Sequence, residues 1–204
     1  MTETPKAVVF DIGNVLVNWD PDLLYAELVP DPSARKALFA EVGLDQMNLS
    51  IDCGAPFRET VYATAQAHPH HGDLIRAWHD RWAEMFTPPV DGCWTILRGL
   101  RAQGVPVFAL SNFGSDSFRL AETLYPALAE FDRRYISADL RVIKPDPRIY
   151  QIVEQDSGLS GPELFFIDDR ADNIAAARTR GWQGYRFGTP EGLRAELANA
   201  GLQV

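Results

Sequence analysis

The stretch Ala7-Val8-Val9-Phe10-Asp11-Ile12-Gly13-Asn14 constrains this chain more than any other. Ala7 to Phe10 is a short apolar run with two β-branched residues, bounded on both sides by polar or turn-forming residues, and it reads as a buried strand. It ends in a carboxylate followed by a Gly-Asn turn. Asp11 is thereby placed at the carboxyl end of a strand, where open α/β sheets bind their ligands. Three further polar groups recur in similar settings. Ser111 ends the run Val105–Leu110, Lys144 lies in Val142-Ile143-Lys144-Pro145-Asp146, and Asp168-Asp169 end Leu164–Ile167. A carboxylate, a hydroxyl and an acidic pair at strand ends, with a lysine, can converge on one anion and one metal ion.

The spacing of these runs sets the fold class. Strand-like runs cover 6–11, 105–110, 134–137, 163–167 and 183–187. Helix-like stretches lie between most of them. Residues 91–103 follow Pro88-Pro89 and stop at Gly104, 147–157 open on a proline, and 171–180 stop at Gly181. Strands alternating with helices predict an α/β protein with a parallel sheet covered on both faces. The segment from Val17 to Thr87 departs from this alternation. It contains no convincing strand, and Pro21–Val29, Pro32–Val42, Pro56–Ala67 and Gly72–Phe86 read as helices. Residues 18–87 are therefore expected to form a small helical cap inserted after the first strand, above Asp11. Residues 1–17 and 88–204 form the core.

Composition removes several function classes. The 204 residues carry a net charge of -9, which argues against nucleic-acid or anionic-membrane binding. An anionic substrate then requires local cations or a metal. The two cysteines, Cys53 and Cys93, form no zinc or disulfide pattern, which favours a reducing, cytoplasmic setting. The polar segment Met1–Lys6 leads straight into the first strand and has no apolar signal region. No apolar stretch reaches the ~18 residues of a membrane span.

Phosphoryl transfer suits the strand-end residues. A carboxylate can attack phosphorus and divide a difficult hydrolysis into two steps. Because a carboxylate repels a phosphate dianion, a divalent cation is needed, and magnesium prefers hard oxygen ligands. Asp11, a backbone carbonyl two residues on, and an acid of the Asp168-Asp169 pair can supply them. Lys144 can neutralise Asp11 and the transferred oxygens, while Ser111 and Asn112 can donate hydrogen bonds, each worth about 3 kcal/mol in the transition state.

At this point the chain resembles the haloacid dehalogenase-like superfamily of hydrolases. Four motifs appear in order: Phe10-Asp11-Ile12-Gly13-Asn14-Val15-Leu16, Leu110-Ser111-Asn112, Lys144-Pro145-Asp146 and Phe166-Ile167-Asp168-Asp169-Arg170-Ala171-Asp172-Asn173. The resemblance implies a Rossmann-like core, a helical cap after the first strand, and Asp11 as nucleophile. It also implies Mg²⁺ held by Asp11, the Gly13 carbonyl and Asp169, with Asp168 beside them. Asn14, Ser111, Asn112 and Lys144 are expected to bind the phosphoryl group. The Asp-x-Gly-Asn-Val segment is similar to that of small sugar-phosphate phosphatases. One position departs from the wider pattern. The phosphatases of the superfamily usually carry an aspartate two residues after the nucleophile as general acid and base, and here that residue is Gly13. Asp20, a cap histidine or water are the substitutes the sequence offers.

The expected activity is magnesium-dependent hydrolysis of a small phosphorylated metabolite, such as a sugar phosphate, through an aspartyl-phosphate. A 2-haloacid dehalogenase and a non-catalytic phosphate-binding descendant stay open as alternatives. A signalling receiver does not fit, since its acidic pair comes first in the chain. His68, His70 and His71 read as a polar loop between cap helices rather than a metal site. Trp78 and Trp82 read as the packed face of a helix, Trp19 and Asp20 are placed near the pocket by position alone, and Asp172 braces the fourth motif.

Overall fold

The computed structural model describes residues 3–203; Met1, Thr2 and Val204 lie outside them, so the start of the polar leading segment is not covered. In chain order the elements are β1 (Ala7–Phe10), β2 (Val17–Trp19), α1 (Asp22–Leu28), α2 (Pro32–Val42), α3 (Leu44–Asp52), α4 (Phe57–Ala67), α5 (Gly72–Asp80), β3 (Phe86–Pro89), α6 (Asp91–Ala102), β4 (Val107–Ser111), α7 (Ser115–Leu124), β5 (Arg133–Ile136), α8 (Ser137–Leu140), α9 (Pro147–Ser157), β6 (Leu164–Asp168), α10 (Ala171–Thr179), β7 (Gln183–Arg186) and α11 (Pro190–Asn199).

Five of these strands form one sheet in the order β5-β4-β1-β6-β7. All its pairings are parallel. Every residue of β1, β4 and β6 is buried, as expected of strands covered on both faces. Alternate side chains feed two cores. Val8 and Phe10 join Ala109 and Ile167 in the larger one, which runs on into the helices between β2 and β3. Ala7 and Val9 join Leu110 and Phe166 under α9 and α10. The α/β, Rossmann-like architecture read from the sequence is the observed one. The chain leaves β1 for β4 and β5 on one side, then returns to β6 and β7 on the other. The order thus reverses beside β1, where such sheets open a crevice.

Register brings the functional groups to that crevice. Phe10 pairs with Ala109 on one side and Ile167 on the other. The Asp11 N–H donates to the Ile167 carbonyl at 2.8 Å. Asp11, Ser111 and Asp168 therefore emerge at the same edge.

The segment between Val17 and Thr87 differs from the expectation in three ways. It begins and ends in strands, because β2 and β3 pair antiparallel with Val17 opposite Pro89 and Trp19 opposite Phe86. Strands of three and four residues, one carrying two prolines, leave no readable periodicity. The helix expected over Gly72–Phe86 stops at Asp80 and is followed by a single 3-10 turn, Trp82–Glu84. Trp78, Trp82 and Phe86 all enter the core, so their spacing looked helical across a change of backbone. Helix α3 was not anticipated, although Leu44, Met47 and Ile51 recur at helical intervals and are its buried residues. Helices α7 and α11 were likewise not anticipated. No described helix is long and apolar enough to cross a membrane.

Candidate active site

The first-motif loop turns tightly because Asn14 takes the left-handed conformation, φ 57°, which asparagine tolerates better than most residues. Its side-chain oxygen accepts from the Trp19 N–H at 2.8 Å, and its amide lies 3.4 Å from Asp169 Oδ2. Asn14 therefore ties the first motif to the fourth. Gly13 is not in the left-handed region.

Asp11 is buried at the floor of a cavity of about 310 Å³. Its Oδ1 accepts from the Ile12 N–H at 2.8 Å and the Ser111 hydroxyl at 2.7 Å, and lies 2.9 Å from Lys144 Nζ. Among the described residues no donor is assigned to Oδ2. Lys144 also reaches Asp168 Oδ2 at 2.7 Å and the Leu110 carbonyl at 2.8 Å. Burial works against the ammonium, but Asp11 and Asp168 outweigh it and hold Lys144 above the usual lysine range. Burial pushes Asp11 upward, against the pull of Lys144.

Asn112 does something more specific than the donation to a ligand that its position suggested. Its Nδ2 donates to the Lys144 carbonyl at 3.0 Å and its Oδ1 accepts from the Lys144 N–H at 2.7 Å. It clamps the backbone that presents the lysine. Asp168 is similarly engaged. Oδ1 accepts from the Arg170 N–H at 2.8 Å, Oδ2 accepts from Lys144, and Asn173 Nδ2 lies 3.0 Å from both. Asp169 is half-buried, and burial together with Asp168 raises its carboxyl. Asp172 pairs with Arg170 at 2.7 Å and stays outside the carboxylate cluster.

Two features fit a bound divalent cation. Oxygens of Asp11, Asp168 and Asp169 lie within 4.8 Å of one another. Three carboxylates against one ammonium leave a formal deficit of two positive charges. Asn173, buried beside them, directs its amide at Asp168 and leaves Oδ1 without a partner. A buried orphan acceptor is costly unless something donates to it, and the water shell that magnesium usually keeps would do so.

The rest of the cavity wall was largely missed from sequence. Asn48, Leu49 and Asp52 reach it from α3, joined by Phe86, Phe113, Ser117 and Asn173. The four-residue spacing of Asn48 and Asp52, beside the apolar stripe of α3, was the available signal. Trp19 and Trp82 do line the cavity, their rings 5.7 Å apart. Trp78 packs behind them, buried, with its ring 6.0 Å from Trp19. Asp20 is exposed, bonds the Asp22 N–H, and does not line the cavity. The three histidines at 68, 70 and 71 are also absent from its wall; where a loop was expected, Pro69–His71 form a 3-10 turn between α4 and α5.

The chain belongs to the haloacid dehalogenase-like hydrolases, whose family model matches residues 5–181. It is 25% identical over 193 residues to a sesquiterpene phosphatase of Aspergillus oryzae, covering 90% of both chains. It is 24% identical over 208 residues to a D-ribitol-5-phosphate phosphatase of Bacteroides thetaiotaomicron, covering 94% of this chain and 96% of the relative. In structure it is similar to a HAD family enzyme of the same bacterium, with TM-score 0.73 and 21% identity over 92% of this chain and 95% of that one. That enzyme's complex with magnesium and inorganic phosphate gives TM-score 0.67, at 21% identity over 91% and 95%.

Proposed function

We infer that this hydrolase is a magnesium-dependent phosphomonoesterase acting on a small phosphorylated metabolite through an aspartyl-phosphate on Asp11. The observation that carries the reading is the convergence of Ser111 and Lys144 on one oxygen of Asp11, beside an acidic cluster that lacks two positive charges. Phosphatases among its relatives and the magnesium and phosphate of its structural neighbour support the same chemistry.

Asp11 and Asp169, with the Gly13 carbonyl, would hold the Mg²⁺, and Asp168 stands beside them as the anchor of Lys144. When bound, the ion supplies the positive charge that lets a carboxylate meet a phosphate dianion. Ser111 and Lys144 hold Asp11 in one orientation. Lys144 also neutralises charge on the transferred phosphoryl oxygens. Asn112 keeps the lysine in place, and Asn14 links the nucleophile loop to Asp169.

We divide the chain into a core, residues 1–17 and 88–204, and a helical cap, residues 18–87. The pairing of β2 with β3 at the two ends of that insert supports the division, as does the reach of α3 into the cavity. Trp19, Leu49, Trp82, Phe86 and Phe113 give the wall an aromatic, apolar side. Its cations are Lys144, paired with two carboxylates, and Arg170, paired with Asp172. This suits a compact, uncharged alcohol rather than one bearing a second anion. The two cysteines, unpaired in the fold, accord with a cytoplasmic setting.

Phosphate release from a panel of sugar, polyol and aryl phosphates, with magnesium and with excess chelator, tests the reading. Turnover should require magnesium and should vanish in Asp11→Asn, which is nearly isosteric. Metal-independent turnover, or halide release from 2-haloacids in place of phosphate release, refutes it.

A further inference from the structure

We propose that Asp52, at the end of helix α3, is the proton-transfer residue of this site. It protonates the leaving oxygen as the phosphoryl group passes to Asp11, and then takes a proton from the water that cleaves the aspartyl-phosphate. The proposal rests on the phosphomonoesterase reading above and fills the duty that Gly13 cannot perform.

Placement comes first. Among the described residues the carboxyl groups on the cavity wall are Asp11, Asp169 and Asp52, and no histidine lines it. Asp11 and Asp169 belong to the acidic cluster, whereas Asp52 stands outside it on the cap side. Asp20, the other acid the sequence offered, points its carboxylate at its own turn. His79, on α5, lies 2.7 Å from Asp80.

Helix α3 is fastened to the core at this point, so the carboxyl keeps its place relative to Asp11. The Ser137 hydroxyl donates to the Asp52 carbonyl at 2.7 Å, and Arg141 Nη1 donates to the Gly54 carbonyl at 2.7 Å. Gly114, following the second motif, lies so close that a Cβ there would fall 2.5 Å from Ile51 Cγ2. The carboxyl itself accepts from Asn48 Nδ2 at 3.0 Å.

The position is also electrostatically unfavourable for a structural residue. Asp52 is the last residue of its helix, where an anion opposes the helix dipole. Burial pushes its carboxyl up to about 7; the Gly114 N–H and Lys144 pull it down and Asp11 pushes it further up. Among the described residues the charged groups that reach it across the cavity are Lys144 and Asp11, and Arg141 is held on the Gly54 carbonyl. A carboxyl poised there can give and take a proton near neutrality, as a general acid and base must.

The steps balance. In the first, a bond forms between Asp11 and phosphorus, the ester P–O bond breaks, and the Asp52 proton moves to the leaving oxygen. In the second, water oxygen bonds to phosphorus, the Asp11–phosphorus bond breaks, and a water proton returns to Asp52. The sum is ester plus water giving alcohol plus phosphate.

The test compares kcat/KM for an alkyl phosphate and for 4-nitrophenyl phosphate in wild type and Asp52→Asn, with thermal unfolding as a check on the fold. The alkyl phosphate should lose about 10²- to 10⁴-fold. The aryl phosphate, whose leaving group needs no proton, should lose far less. The wild-type decline of alkyl kcat/KM above neutral pH should disappear in the variant, and Asp52→Glu should restore part of the alkyl activity. Equal loss on both substrates, or no loss, overturns the assignment. If Asp52→Asn does not fold, Asn48→Ala serves instead. Removing a donor from the carboxylate should move the pH limb upward, and an unmoved limb overturns the proposal. A wild type that cleaves no phosphomonoester overturns the phosphatase reading, and this assignment with it.

Discussion

Replacing Lys144 with methionine should destabilise the metal-free protein by about 2–4 kcal/mol near neutral pH. The side chain is 1% exposed and its ammonium lies 2.9 Å from Asp11 and 2.7 Å from Asp168. Removing one partner from a buried ion pair typically costs 3–5 kcal/mol, because the other charge is left without compensation. Two effects reduce that figure here. Asp168 keeps its bonds from the Arg170 N–H and Asn173. Methionine adds roughly 1 kcal/mol at most in apolar burial, since the lysine methylenes are already out of water. The electrostatic loss therefore wins, and it is a large fraction of the 5–15 kcal/mol that typically separates folded from unfolded chains. Urea unfolding in metal-free buffer reads it as a lower midpoint at unchanged slope. Adding Asp168→Asn should recover part of the loss, because it removes one stranded charge. Mild acid should narrow the gap as well, since burial raises Asp11 and favours its protonation. A destabilisation under about 1 kcal/mol in Lys144→Met, with no recovery in the double variant, would refute the account of this lysine as a compensated buried charge.

Gly13→Asp should fold with less than about 1 kcal/mol of lost stability, because a Cβ there would lie 3.7 Å from Trp19 Cβ, an ordinary contact, and the backbone is not left-handed. Its effect on alkyl-phosphate kcat/KM should be below about tenfold in wild type and above it in the Asp52→Asn background, the pattern expected if Asp52 already moves the proton. Glu154→Ala should cost about 1–3 kcal/mol, because it strands the indole N–H of buried Trp182, which donates to Glu154 at 2.8 Å. Burial raises the Glu154 carboxyl, but Arg180 and Trp182 outweigh it and hold it below its ordinary 4.5. A lowered folded value means stability that is present above the unfolded value and lost as pH falls through the folded one. The gap between wild type and Glu154→Ala in urea should therefore be full at neutral pH and shrink in acid below about 4.5; a gap independent of pH would contradict this.

Much of the candidate site's strand edge was legible because it is local. An apolar run followed by a polar residue states its own strand and its own strand end, so Asp11, Ser111 and Asp168-Asp169 could be placed from their neighbours alone. Buried parallel strands leave continuous apolar runs, as β1, β4 and β6 do; the outer strands β5 and β7 are only partly apolar and partly buried, yet all five strand-like runs became the strands of the sheet. Lys144 was harder, since it follows no strand, and only its motif pointed to the site.

What a side chain does once it arrives was decided by tertiary packing. Nothing local tells that Asn112 binds the Lys144 backbone, or that Asp168 saturates its oxygens on Lys144, Arg170 and Asn173. The bonds of Asn112 to Lys144 and of Lys144 to Asp168 join segments 32 and 24 residues apart, whereas those from Arg170 and Asn173 are made within the fourth motif itself. The β2–β3 pairing was hidden for the same reason, because seven residues divided over two strands about 70 positions apart gain their stability from each other rather than from their own pattern. Asp52 is the clearest case. By sequence it is an acid near the end of an unrecognised helix, with no motif around it. It acquires a raised carboxyl and a place on the cavity wall only because Ile51 seats on Gly114 and Ser137 holds its carbonyl. Local sequence determined where the strands end and which chemistry stands there; the packing of the helices between β2 and β3 against the sheet decided what that chemistry faces, because burial and long-range hydrogen bonds exist only once the chain has folded.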